Sequence, residues 1–249
     1  MAIHKTEAIV LNSTKLRETS LITTFYTRSF GKLKALSKGV RQEASPLVSL
    51  YQPFNHVEIV FYEKTKSDIH FLSENSLVYF FPKLRTAFEK IAWGSFLLEL
   101  IDTVVPLEEK NEDLFLLLLE CLKQMEKNSV SPAVPVFEVK LLWGSGLFPA
   151  LDSCIRCERS DFETAYLSVE EGGIYCEKCR DPQRVLHAVS MGLVRTIRFY
   201  ASNDLARALT LRIAPACEIE LNRLVYQWIR GRFEKELATM RFLREVDLI

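Results

Sequence analysis

The period of the apolar positions changes along this chain, and each change marks an architectural boundary. Over the first 80 residues, apolar and β-branched side chains come in short runs: Glu7–Asn12, Ser20–Thr27, Lys32–Lys38, Phe54–Tyr62 and Asp68–Asn75. Runs of this length between polar turns are strands. Arg28-Ser29-Phe30-Gly31 reads as a hairpin turn, with Gly31 able to take positive φ. Five short strands in so few residues predict a small barrel, either OB-like or SH3-like. The pattern alone does not separate those two.

After Phe81-Pro82 the period becomes helical. Leu84, Ala87, Phe88, Ile91, Ala92, Ser95, Phe96 and Leu98 recur at helical spacing until Pro106. Asn111 is placed as an N-cap, with Glu112 and Asp113 in the first turn of a leucine-rich helix running to about Lys127. Another helix starts near Phe137 and stops at Gly144-Ser145-Gly146. Beyond Pro182 the chain is helical again, over Ser190–Tyr200, near Leu205, and over an amphipathic stretch from Ala216 to Glu236. The division this predicts is α+β and multidomain. A barrel covers 1–80, a first helical part 81–149, a four-cysteine module 150–182 and a second helical part 183–249.

Composition adds little beyond a globular class. Of 249 residues, 48% are hydrophobic and 26% charged, and the formal net charge is zero, so only local clusters of charge can indicate a partner. The apolar run Leu114–Leu119 is far short of a membrane span, and the amino end carries no apolar signal region. The expected location is the reducing cytoplasm, where cysteines serve as metal ligands more readily than as disulfides.

Four of the six cysteines form two pairs, Cys154-Ile155-Arg156-Cys157 and Cys176-Glu177-Lys178-Cys179. A two-residue gap lets both thiolates of a pair reach one tetrahedral ion. Residues 158–175 between the pairs suffice for a hairpin, with Thr164–Val169 as a strand and Glu170-Glu171-Gly172-Gly173 as its turn. Four sulfurs close the coordination shell, so the expected cofactor is one structural Zn²⁺ per chain. A redox pair would open a helix after a strand in a βαβ unit, and neither pair has that setting. Cys121 and Cys217 sit in helical patterns as small core residues.

The second cluster is cationic. Arg28, Lys32, Lys34, Lys38 and Arg41 occur in a stretch without Asp or Glu, and Lys15 and Arg17 join them. Strand alternation sends Lys32, Lys34 and Lys38 to one face and Leu33 and Ala35 to the other. A one-sided row of cations beside aromatic side chains can track a phosphate backbone while bases stack. Phe30, Tyr51 and Phe54 are the candidate stackers. The competing reading is a solvated strand face over an ordinary aromatic core.

No catalytic constellation is present: no Gly-rich phosphate loop, no His-Glu-x-x-His and no nucleophile elbow. His4, His56, His70 and His187 are scattered in sequence. The expectation is therefore no catalytic residue and no enzyme. A zinc-stapled interaction adaptor without DNA binding, and an enzyme with a pocket between barrel and helices, are the alternatives.

The ordered set of features resembles one family. Lys38-Gly39-Val40-Arg41 is followed by Leu50-Tyr51-Gln52-Pro53-Phe54. Phe137-x-x-Lys140-Leu141-Leu142-x-x-x-Gly146-x-x-Pro149 then runs directly into the first cysteine pair, and Gly172-Gly173 precedes the second. Over essentially the whole chain this resembles the RecO family of bacterial recombination mediators. The resemblance implies an amino-terminal OB-fold and a helical region carrying the zinc module. It also implies binding of single- and double-stranded DNA and annealing of complementary strands. The implied protein partners are RecR and the acidic C-terminal tail of single-stranded DNA-binding protein, in loading recombinase. By position, the four cysteines become zinc ligands, and Lys32, Lys34, Lys38 and Arg41 become phosphate contacts. Arg195, Arg198, Arg207, Arg212, Arg230 and Arg232 are candidates for holding the acidic tail.

Overall fold

The structure, a computed structural model, describes residues 2–41, 46–233 and 236–248. It forms two compact units. Met1–Val130 and Leu237–Leu248 make the first, and Ser131–Glu236 the second. Compactness thus divides the chain at different places from the change of period, because the helices that follow the strands pack with them.

In the first unit, β1 (Ile3–Leu16), β2 (Ser20–Thr27), β3 (Gly31–Ser37), β4 (His56–Tyr62) and β5 (Ile69–Tyr79) close into a barrel in the order β1-β2-β3-β5-β4. Every pairing is antiparallel except β3 with β5. This order with one parallel seam is an OB-fold, which resolves the choice left open by the sequence. β1 and β5 both run past their expected ends. β1 does so because it serves two partners, residues 3–9 pairing with β4 and residues 8–16 with β2. A bulge between Val10 and Asn12 bends it from one to the other, and there Val10 exchanges backbone bonds with Phe54 and Asn55. Val10, Phe25, Leu33, Val57, Ile59 and Phe61 fill the interior.

The β2–β3 turn falls where the sequence puts it. Thr27 Oγ1 accepts from the Phe30 N–H at 3.0 Å and donates to the Gly31 carbonyl at 2.8 Å. Gly31 takes φ +67°, and a Cβ there would lie 2.1 Å from the carbonyl oxygen of Glu109. That close approach lets residues 107–109 lie along β3, where Leu107 bridges Lys32 and the Glu108 N–H donates to the Lys32 carbonyl at 2.8 Å.

α1 (Phe88–Val104) and α2 (Glu112–Lys127) follow the barrel. Asn111 caps α2 as expected, its side chain accepting from the Leu114 N–H at 2.9 Å. α1 buries Trp93, Phe96, Leu97 and Ile101. The last helix, Ala238–Glu245, lacks a capping side chain of its own. Glu99 of α1 supplies one instead, accepting from the N–H groups of Ala238 at 2.9 Å and Thr239 at 2.8 Å. A carboxylate there satisfies orphan donors and opposes the helix dipole.

The second unit opens with α3 (Ala133–Gly144), which is buried over most of its length. A sheet follows, β6 (Ala150–Cys154), β7 (Thr164–Ser168), β8 (Gly173–Cys176) and β9 (His187–Ser190), in the order β6-β8-β7-β9. α4 (Met191–Ser202), α5 (Leu205–Ala208) and α6 (Pro215–Phe233) complete the unit. Leu142, Leu151, Leu167, Val189, Val194 and Trp228 join helices and sheet in one apolar interior. In the same unit, Glu138 of α3 is fully buried, and neither carboxylate oxygen has a partner among the described residues. Burial and then the charge of Glu218 push its pKa well above the usual carboxylate range.

Two outcomes are expected. Gly31→Ala should destabilise the first unit by about 2 kcal/mol or more, from positive φ and the clash with Glu109, as read by denaturant unfolding. Glu138 keeps its proton in the folded chain and loses it in the unfolded chain. Stability should therefore fall as pH rises above the usual carboxylate range. Glu138→Gln should remove that fall and raise the thermal midpoint at pH 8, with the gain vanishing near pH 4.

Candidate metal centre and nucleic-acid interface

The four cysteines come together. One sulfur from each of Cys154, Cys157, Cys176 and Cys179 lies within 4.8 Å of the others, and this is the only such donor group among the described residues. Each pair sits at a strand end followed by a tight turn. Cys154 ends β6, the Glu158 N–H returns to the Cys154 carbonyl at 2.8 Å, and Glu158 is left-handed at φ 60°. Cys176 ends β8, and its carbonyl accepts from the N–H groups of Cys179 at 3.0 Å and Arg180 at 3.1 Å. The knuckles meet because Gly173 has no side chain: a Cβ would lie 2.4 Å from Ile155 Cγ2. Around them, Arg180 stacks 4.9 Å over the Tyr166 ring, and Glu171 accepts from both Tyr175 and Arg184.

The spacing suits a small tetrahedral ion. Cys157 and Cys176 sulfurs are 3.7 Å apart, and a tetrahedron with metal–sulfur bonds of about 2.3 Å has edges of about 3.8 Å. The acidities diverge in the way a shared cation would relieve. Burial alone would raise the Cys154 thiol, but backbone N–H groups of Cys176, Arg156 and Cys157 outweigh it and bring it down to about 6. The hydrogen bond with Cys157, then burial and the neighbouring sulfurs, push Cys179 up to about 12. One thiolate forms readily and the last resists a further negative charge. A divalent ion removes that resistance.

The cationic row is divided by the fold. Leu33 and Ala35 face the core and Lys32 and Lys34 face outward, as alternation requires. Yet Lys32 is covered: its side chain is 9% exposed, its ammonium lies 3.4 Å from an Asp102 carboxylate oxygen, and it also donates to the Asp102 carbonyl. This expected phosphate contact is thus engaged by Asp102 of α1. Arg28 is held between Glu7 and Glu112, at 2.9 Å from each. Lys15, Arg17 and Lys38 are exposed, while Lys34 and Arg41 are half-buried. None of these five has a carboxylate partner among the described residues. Arg17 and Arg41 are brought together at the β1–β2 turn, where the Arg41 N–H donates to the Thr19 carbonyl at 3.0 Å and its guanidinium reaches the Arg17 carbonyl at 3.3 Å. The Lys38 ammonium lies 5.7 Å over the Phe71 ring.

Of the candidate stackers, Tyr51 and Phe54 are core residues and Phe30 is half-buried against the barrel interior. Phe71 is half-buried beside Lys38 and is the aromatic that sequence reasoning missed. Its register opposite Leu36 of β3 places it there. In the second unit, Arg198 pairs with Asp152 at 2.9 Å and Arg212 donates to the Ser131 carbonyl at 2.7 Å. Arg207 lies 5.9 Å over Phe199, Arg195 and Arg230 are exposed, and the Arg232 side chain lies outside the described residues.

Residues 1–81 match the family described as Recombination protein O N terminal, and residues 85–241 match Recombination protein O C terminal. The chain belongs to the RecO family. It is 31% identical over 245 residues to the DNA repair protein RecO of Caldicellulosiruptor saccharolyticus, covering 98% of this chain and 99% of that one. It is 30% identical over 248 residues to the protein of the same name from Caldicellulosiruptor bescii, covering 99% and 100%. The DNA repair protein RecO of Alkaliphilus metalliredigens is 29% identical, covering 93% and 94%. The chain is thus a RecO-family DNA repair protein. No helix among its described residues is long and apolar enough to cross a membrane.

Titration of the reduced chain with Co²⁺ should give the visible bands of a tetrahedral tetrathiolate and saturate at one ion per four-cysteine cluster. Cys176→Ser should weaken or abolish those bands and lower the thermal midpoint of the second unit.

Proposed function

We propose that this RecO-family chain is a DNA-binding recombination mediator acting at the nucleoid. In this reading it binds single- and double-stranded DNA through its barrel and anneals complementary strands. It works with RecR, and with the C-terminal tail of single-stranded DNA-binding protein, to help load recombinase. The observation that carries the reading is the set Lys15, Arg17, Lys34, Lys38 and Arg41. These are five cations on an OB-fold that no carboxylate neutralises among the described residues, while Arg28 and Lys32 are paired. Arg28 and Lys32 accordingly serve the barrel's contacts with α1 and α2.

Mechanistically, no bond is made or broken. Ammonium and guanidinium groups displace condensed counterions from two strands and lower their mutual repulsion, so complementary bases can meet. Phe71, beside Lys38, offers an aromatic surface to a base. The cysteine cluster holds one structural Zn²⁺ in this reading, since four soft thiolates leave no position open for water or substrate. Arg195, Arg207 and Arg230 are the candidates for an acidic tail on the second unit.

The test is a fluorescence-anisotropy titration of labelled single-stranded and duplex oligonucleotides of mixed sequence, at several salt concentrations and without nucleotide. Binding should weaken steeply with salt. The double reversal Lys38→Glu/Arg41→Glu, with an unchanged thermal midpoint, should weaken it at least about tenfold and reduce the salt slope by about two. Unchanged affinity and slope in that variant would sink the proposed face.

A further inference from the structure

A cavity of about 230 Å³ opens at the end of the barrel where β1 begins and β4 ends. None of its lining residues takes part in the proposed DNA face. Its wall is a chain of aromatic rings. The His4 centroid lies 4.7 Å from Phe30 and 5.3 Å from Phe61, and Phe61 lies 5.3 Å from Phe30 and 5.2 Å from His70. Four residues scattered in sequence become one surface because β1, β4, β5 and the β2–β3 turn all reach this end.

Two carboxylates stand at the rim, each oriented by a histidine. Glu63 meets His4 Nε2 at 2.8 Å, and Glu108 meets His70 Nε2 at 3.0 Å. The backbone N–H of Lys64 donates to His70 Nδ1 at 3.2 Å. The His70 proton is therefore on Nε2, and the ring is a neutral donor to Glu108. Glu108 is fixed from its backbone side as well, by its left-handed φ of 60° and its N–H bond to the Lys32 carbonyl. Each carboxylate has a second oxygen with no partner among the described residues. With Lys110 also lining the cavity, two carboxylates face a single ammonium group there.

Ring faces carry negative potential and attract cations. Fixed acceptors at the rim favour a donor of opposite charge. The volume suits one headgroup on a narrow stem and is small for a drug-sized ligand. Phosphate would meet Glu63 and Glu108 at the mouth and be repelled. We propose that this cavity is a binding site for a monocationic guanidinium or alkylammonium headgroup, supplied by a basic side chain of a protein partner or by a free amine. The site is independent of DNA binding and goes beyond the mediator reading.

The experiment uses the full chain and follows the His4 and His70 imidazole resonances, with isothermal titration alongside. N-acetylarginine amide stands for a peptide side chain and n-butylamine, a monocation, for a free amine. N-acetylcitrulline amide is the neutral isostere. The arginine amide or n-butylamine should shift both histidines and bind at least about tenfold more tightly than the citrulline amide. Whichever cation binds more tightly identifies the source. Glu108→Gln and Glu63→Gln each keep an oxygen for the histidine while removing the charge, so the wall is retained. Each should weaken the cation about tenfold at an unchanged thermal midpoint. Equal binding of citrulline, indifference to both substitutions in folded protein, or no histidine shift up to tens of millimolar would overturn the proposal.

Discussion

A single buried cation organises the first unit. Lys32 lies on the outer face of β3, where an isolated barrel would expose it, and its ammonium is neutralised by Asp102 of α1. Its backbone meanwhile bridges Leu107 and bonds Glu108 in the segment that follows α1. Stripping the partner from a buried ion pair typically costs about 3–5 kcal/mol, so the contact commits the helix to one place on the barrel. Neighbouring interactions share its direction. Arg28 reaches Glu112 at the start of α2, the Tyr26 hydroxyl donates to the Asn111 carbonyl at 3.3 Å, and Asn12 donates to Asp102 at 3.2 Å. The barrel's basic strand is thus a fastening along one half and an open surface along the other.

That division explains which features were legible in the sequence. The cysteine cluster was fully legible, because two-residue gaps and a hairpin-length separation nearly fix the geometry within about two dozen residues. The β2–β3 hairpin and the Asn111 cap were legible for the same reason: a threonine, a glycine and an asparagine act on neighbours in sequence. The alternation of β3 also held, with Leu33 and Ala35 inside. What alternation cannot report is what lies over the outer face. Asp102 is distant from Lys32 in sequence, and no local pattern announces that its carboxylate will cover one lysine and leave Lys34 uncovered. The aromatics failed for a related reason. Tyr51 and Phe54 lie between β3 and β4, outside any alternating run, and the backbone bonds of Phe54 and Asn55 to Val10 draw that segment inward and bury both rings.

The histidines show the opposite error. His4 and His70 are unremarkable in sequence, being far apart and without a local partner. A barrel brings distant strand ends to a common pole, so their chemistry depends on closure. Glu108 reaches the same pole because Gly31 clears a path for the segment carrying it. A glycine whose local role is to turn a hairpin therefore also positions a carboxylate on a different element.

The cap that Glu99 places on the last helix bears on the order of synthesis. The second unit is inserted in sequence between α2 and that helix. During translation the barrel, α1 and α2 emerge first, and Glu99 waits with two unfilled acceptor oxygens through the synthesis of residues 131–236. The first unit receives its closing helix only after the second has left the ribosome, so a nascent chain carries a complete barrel on a core that is still open.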